Sequence, residues 1–457
     1  MNMYPKHLLA LPIAFMVMSC PCQGQTVMTL DEVFRQADAT SQSIRVSQTA
    51  QQSAAEGRQA ARSAMLPDVN LSLSGSYIGN ATLMDRGFST HGTTDVIYAC
   101  SGPVPVSLGK QDTPHWGNSF ALEVSQVLYA GGAISAGVRM AELGEQMAAL
   151  DVERQKQEVR LLLVGHYLDL YKLNNQIEVL DHNIELTRQL LKDMHSREEQ
   201  GVVLPNDITR FELQLQSLEL ARTQVEDAAR ILNRQMVITL HLPEGTVIVP
   251  DSREVDRISA DQVADMSEQA WQQQAAEGNL GLRQAELGSQ LAEQQFKATR
   301  ADRLPHVALV AEDHLFGPYT DDLIPTDANV NAWFIGIGVQ YNLGSLWKNH
   351  GVRKARLESQ KATEQVQLAR EGIEQGVQAC YINLVTSVTE VRTQQKSVEL
   401  AVQNYSVTNN RYDNGLALLT DMIDASNTKL SAEMNLVNAR INLVCNYYKL
   451  KYTTHSL

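Results

Sequence analysis

Apolar residues recur along this chain with two periods, and stretches of the two kinds follow one another. In Leu170, Leu173, Ile177, Leu180 and Ile184 the steps are three, four, three, four, the seam of a coiled coil. A second helical stretch keeps Leu384, Val391 and Val398 but puts Ser387 and Gln394 at the alternate places. That seam is expected to be weaker and partly wet. Elsewhere the period is two. From Val69 to Tyr77 (VNLSLSGSY) the odd positions are mostly apolar and the even ones mostly Asn or Ser, and Phe120, Leu122 and Val124 alternate with Ser119, Ala121, Glu123 and Ser125. Trp333, Ile335, Ile337, Val339 and Tyr341 share one face, with Gly336, Gly338, Gln340 and Asn342 opposite. These predict strands with one apolar face. Val307 to Leu315 alternates poorly and is the least regular of the four.

The pattern is written twice, which changes the whole picture. Gly137-Val-Arg-Met-Ala141 returns as Gly351-Val-Arg-Lys-Ala355, an offset of 214 (351 against 137). At the same offset Tyr167 meets Tyr381, Leu170 meets Leu384, Arg197 meets Arg411, Gly201 meets Gly415, Leu204 meets Leu418 and Asp207 meets Asp421. Continuous helices of fixed length give such constancy, because loops drift in length. From Arg139 to Gln200 the helix would run about 60 residues, roughly 90 Å, too long to bury itself in a globule. Upstream, Leu66-Pro67 matches Leu304-Pro305 at an offset of 238, so the first copy is longer by 24 (238 against 214). The surplus lies in residues 79–117, rich in Gly, Ser, Thr and Pro, and reads as a long loop.

The fold class is therefore mostly α with a β part: two structural repeats, each of helix, strand, loop, strand, very long helix, turn and return helix. Runs of nine or ten residues with Tyr or Trp near their ends suit tilted outer-membrane strands. Four strands cannot enclose a lumen, and lipid tolerates no open sheet edge, so a membrane role requires subunits to share a barrel. Eight strands from a dimer would be filled by side chains, whereas twelve from a trimer would be wide enough to hold water. A soluble β-sandwich with one wet face fits the same alternation.

Composition narrows the functions. Among 457 residues there are only 13 Pro and 6 % aromatics, which favours long helices. A formal charge of −14 without a basic run argues against nucleic acid as partner. Residues 1–24 read as a signal peptide, because the apolar run Leu8 to Met18 is too short to span a bilayer. Val17-Met18-Ser19-Cys20 resembles a lipobox and would make Cys20 an acylated first residue; cleavage near Gly24 or Gln25 would instead remove it. Cys100, Cys380 and Cys445 are far apart, and the 11 His are scattered. Neither a disulfide framework nor a metal site is indicated. With no nucleophile elbow, phosphate loop, HExxH or CxxC, no enzyme and no cofactor are expected. The rival to a channel is an exported coiled-coil structural or adhesin-like envelope protein.

Candidate chemistry gathers at Arg411–Ala425 (RYDNGLALLTDMIDA). Gly415 stands where a helix C-cap needs a left-handed residue, and Thr420 is expected to cap a return helix beginning at Asp421. Asp421 and Asp424, three apart, share a helix face. Carboxylates in a first turn already favour the helix dipole.

Taken together, Thr29-Leu-Asp-Glu-Val33, Leu66-Pro67, the twin Gly-x-x-Leu hairpins and the last helix resemble the TolC-type outer membrane efflux proteins, along nearly the whole mature chain. The resemblance implies a homotrimer with a twelve-stranded barrel in the outer membrane lipid, continued by a periplasmic α-helical tunnel. Each protomer would give four transmembrane strands, near 67–79, 118–129, 305–316 and 332–342. It would also give continuous helices 138–200 and 352–414 with return helices 206–240 and 421–452. Helices near 29–64 and 260–302 would stack on the return helices, and 241–259 would join an equatorial belt between the repeats 25–240 and 260–457.

The implied function is the passive exit duct of a tripartite efflux or type I secretion system. A periplasmic adaptor and an inner-membrane transporter of RND or ABC type would be its partners. Asp421 and Asp424 would ring the periplasmic mouth, and Asp207, Asn206 and Tyr412 would match a gate latch. The tips Gly201, Val202, Leu204, Gly415, Leu416 and Leu418 would dock the adaptor or, on the residues alone, simply pack the turn. A latch arginine of the family is Ala417 here, and Arg210 stands where the first hairpin would carry a second aspartate.

Overall fold

The computed structural model describes residues 25–77, 96–99, 102–105, 115–201, 203–253, 258, 267–321, 324–326, 328–347 and 349–457. The expected signal peptide with Cys20, and Val202 of the first tip, lie outside the described residues. The chain divides into two compact units, residues 1–49, 150–283 and 368–457 forming one and residues 50–149 and 284–367 the other.

The second unit is built on a sheet. Strands β2 (Asp68–Tyr77), β5 (Trp116–Ala130), β7 (His306–Gly317) and β10 (Val330–Gln340) are antiparallel in the order β10-β7-β5-β2. Short hairpins β3–β4 (Val96–Ala99, Gly102–Pro105) and β8–β9 (Tyr319–Asp321, Ile324–Thr326) lie between the strand pairs in sequence. Register assigns the faces. Leu71 opposes Leu122, which opposes Asp313, which opposes Trp333; one residue away, Asn70, Glu123, Glu312 and Phe334 form the corresponding row of the other face. Val69, Leu73, Phe120, Ile335, Ile337 and Val339 fall on the Leu71 face, which is thus largely apolar across all four strands, with Asp313 in its middle rows and Asn118, Gln126 and Asn331 nearer its ends. That aspartate, with apolar Ala308 and Val310 on the other face, accounts for the poor alternation of β7. Helices α2 (Gln42–Ser63) and α6 (Leu280–Ala301) feed the strands through Leu66-Pro67 and Leu304-Pro305, where proline stops the helix. Gly131, at φ +61°, passes so close to the Ala301 carbonyl that a Cβ would sit 2.7 Å from it; only glycine fits there.

The first unit is helical. It holds α1 (Leu30–Thr40), α4 (Pro205–Thr239), α5 (Glu268–Gly278), α8 (Leu419–Thr453) and most of the long α3 (Ala133–Glu198) and α7 (His350–Asp413). Thr29 and Glu32 cap α1 reciprocally, through bonds of 3.3 and 2.9 Å to each other's backbone N–H. The expected helix 29–64 is two helices parted at the buried Ser41, and 260–302 likewise parts at Asn279, whose side chain accepts from the Leu282 N–H at 3.2 Å. The linker 241–259 contains β6 (Val247–Pro250), paired in parallel with β1 (Gln25–Met28). Tyr167 ties that ladder to α3: its buried hydroxyl donates to the Met28 carbonyl at 2.9 Å and accepts from the Asp251 N–H at 2.7 Å.

The first seam is packed: Leu170 is buried in one apolar cluster with Leu173 and Ile177 half-buried against it, and Leu180 and Ile184 are buried in a second cluster with Leu218. In the second, Ser387 is buried beside Leu384 and Val391 and accepts from the Asn446 side chain at 2.6 Å. Gln394 is half-buried. Among the described residues no helix is long and apolar enough to cross a membrane.

Candidate functional site at the hairpin turns

Both hairpins of the helical unit turn on a left-handed glycine: Gly201 and Gly415 each have φ +71°. At the second turn the Leu416 N–H reaches the Arg411 carbonyl at 2.7 Å and the Gly415 N–H the Tyr412 carbonyl at 3.0 Å, closing the last turn of α7 in the Schellman manner. The chain then re-enters a helix two residues earlier than expected. Leu418 is the N-cap, α8 starts at Leu419, and Thr420 lies inside the first turn and not at the cap. The expected Thr420 cap is therefore corrected: Asp421, three residues past the N-cap, accepts from the Leu418 N–H at 3.0 Å and satisfies that end itself.

Asp421 and Asp424 are both exposed. No hydrogen bond or ion pair holds the Asp424 carboxylate among the described residues. On the adjoining face of α8, Met422, Ala425, Lys429 and Ala432 are buried. The aspartates are thus set on the side of the helix that its own protomer leaves uncovered.

That side carries more than the aspartates. Thr428, Ser431 and Asn435 continue it at steps of four, three and four, all exposed, and with Gln394, Ser397 and Asn427 they line an open groove of about 680 Å³ beside Asp424. Motif reading missed this stripe. Its signal was present in the sequence as a polar seam at heptad spacing, on a return helix read only for its first turn.

Tyr412 lies half-buried where the two hairpins meet, in an apolar cluster with Leu191, Met194, Ile208, Phe211, Leu419 and Met422. Burial pushes its phenol upward from the ordinary range; Arg197 opposes that shift, and the charges of Asp207 and Asp413 add to it. The hydroxyl stays neutral at physiological pH. The Arg197 guanidinium sits 5.9 Å from the centre of the Tyr412 ring and pairs with Asp413 at 2.9 Å, and Asn409 donates to the other Asp413 oxygen at 3.2 Å. Asp207 is half-buried in the first turn of α4, and Asn206 beside it is exposed. Ala417 brings no charge to this cluster, and Arg210 is exposed on α4.

At the tips, Leu204, Leu416 and Leu418 are 68, 69 and 70 % exposed, and both glycines are open to solvent. These leucines do not pack the turns within one protomer. Among the described residues no group of three His, Cys, Asp or Glu could hold a metal ion.

Residues 271–451 match the sequence model of the outer membrane efflux protein family. Over 443 residues the chain is 22 % identical to outer membrane protein TolC of Salmonella enteritidis, covering 94 % of this chain and 82 % of that protein. Its fold is similar to the outer membrane protein VceC of Vibrio cholerae, with a TM-score of 0.70 at 15 % identity over 93 % of this chain and 95 % of that one. It is also similar to the open state of the MtrE outer membrane channel of Neisseria gonorrhoeae, with a TM-score of 0.68 at 13 % identity over 93 and 88 % of the two chains.

Proposed function

The chain has the fold of outer membrane efflux channels along almost its whole length and matches that family's sequence model over residues 271–451; from that premise we propose that it is one subunit of a trimeric outer membrane channel, the passive exit duct of a tripartite efflux or secretion system. The observation that carries this reading is the four-stranded sheet with one largely apolar face and, among the described residues, two unpaired edges, β2 and β10. Hydrocarbon leaves no backbone donor or acceptor unsatisfied, so such a sheet is completed only by further strands. Three copies joined β2 to β10 give twelve strands, enough for a watery lumen. The helical unit then extends into the periplasm.

In this reading Asp421 and Asp424 of three subunits bring six carboxylates to the narrow mouth. Their exposure, and the polar stripe behind them, support it. Such a ring draws cations and holds multivalent ones. Tyr412, Asp207 and Asn206 fix the return helix in the closed state, while the exposed Leu204, Leu416 and Leu418, with the glycine turns, meet a periplasmic adaptor. An inner-membrane transporter of RND or ABC type selects the cargo and supplies the energy.

Single-channel conductance in planar bilayers tests the reading, comparing wild type with Asp421→Asn/Asp424→Asn with and without millimolar divalent cations. The expected outcome is a small cation-selective conductance that divalents block in wild type and not in the variant. Equal selectivity and block in both would remove the aspartates from the constriction. No conductance from either would return the chain to the structural reading.

A further inference from the structure

The apolar face of β10 does not stop at the end of the strand. Tyr341, Leu343 and Trp347 follow it at 41, 59 and 70 % exposure. Immediately beyond, at the start of α7, His350, Arg353, Lys354 and Leu357 recur at i, i+3, i+4 and i+7, all exposed, with Arg356 next to them. No acidic residue occurs from Asn342 to Leu357, in a chain whose formal charge is −14.

We propose that this segment is a lipid-binding collar: Trp347 and Tyr341 seat at the headgroup level, and Arg353, Lys354 and Arg356 bind the phosphates of anionic phospholipids in the leaflet at the helical end of the sheet. The placement rests on the membrane-barrel reading above. Within the chain nothing explains these cations. None of the three has an ion pair or side-chain hydrogen bond among the described residues, whereas in the same unit Arg58 pairs with Glu145, and Arg62 and Arg139 pair with Glu142. They also occupy the first two turns of a helix, where the dipole disfavours positive charge. Their long stems can lie along apolar surface while the heads reach phosphate, as basic residues beside membranes do. Trp and Tyr concentrate at the same interface.

The test uses the full protein in detergent and counts lipid adducts by native mass spectrometry. The added ligands are dihexanoyl phosphatidylglycerol, dihexanoyl phosphatidylcholine and inorganic phosphate, offered to wild type and to Arg353→Gln/Lys354→Gln/Arg356→Gln. Each basic residue near an anionic surface strengthens binding about fivefold, so wild type is expected to prefer phosphatidylglycerol over phosphatidylcholine by at least about tenfold. The triple variant loses the preference while keeping wild-type conductance, and inorganic phosphate does not displace the lipid. Equal binding of both lipids, an unchanged triple variant, or displacement by phosphate overturns the proposal. Heat-modifiable migration of wild type separates the two failures: a protein that migrates as a barrel without lipid preference loses only the collar, and one that does not so migrate loses the channel.

Discussion

At the scale of single residues, one buried hydroxyl of the helical unit is fully used. Tyr167 is wholly buried, and its hydroxyl serves the Met28 carbonyl and the Asp251 N–H at once. Tyr167→Phe keeps the ring and leaves both backbone groups without that partner; a buried unsatisfied group costs about 1–3 kcal/mol. A lower thermal midpoint of the purified protein is expected, and an unchanged one would mean the hydroxyl bridges nothing. That tyrosine was legible as a repeat position, matched by Tyr381, but not as a bridge. Its partners belong to a parallel pair, Gln25–Met28 with Val247–Pro250, joined across more than 200 residues of sequence, and no local period reports such a pairing. Asp421 shows the same limit at short range. Thr420 is a better N-cap by type, yet the helix starts two residues earlier, with Asp421 reaching back to the Leu418 N–H.

At the scale of elements, the fixed offset between the copies made the long helices readable, since two helices of equal length leave a constant spacing. It could not report where shorter helices break. Ser41 and Asn279 interrupt their helices by turning to extended backbone, with ψ of 124° and 119°, the first without proline or glycine and the second just after Gly278. Nor could it pair the hairpins. Arg197 and Arg411 are equivalent in the repeat, but only Arg197 crosses to the other hairpin, to Asp413, over the ring of Tyr412. An exposed pair of this kind contributes about 0.2–1 kcal/mol, and a closed mouth would draw on it once per subunit. Arg197→Asp and Asp413→Arg are each expected to raise mean conductance a few-fold by loosening the junction, and the double swap to restore it toward wild type. Single variants with wild-type conductance would leave the pair without a part in closure.

At the scale of the whole molecule, the question is what the apolar face of the sheet touches. Leu71 and Ser72 are neighbours on β2, and both are exposed in the protomer, so burial within one chain does not distinguish them. They point to opposite faces, Leu71 in the row with Leu122 and Trp333, Ser72 in the row with Ala121 and His314. A cation on a lipid face costs about 2–4 kcal/mol near the bilayer midplane, whereas a lumenal one is solvated. Leu71→Arg is therefore expected to lower the amount of heat-modifiable trimer in the outer membrane fraction, and Ser72→Arg to leave it near wild type while changing ion selectivity. A sheet wetted on that face in solution would accept both substitutions alike. Equal yields would thus remove the lipid from the Leu71 face and with it the need for three chains to share one barrel. A loss confined to Leu71→Arg would leave the unpaired edges β2 and β10 no partner in hydrocarbon except another copy of the same sheet.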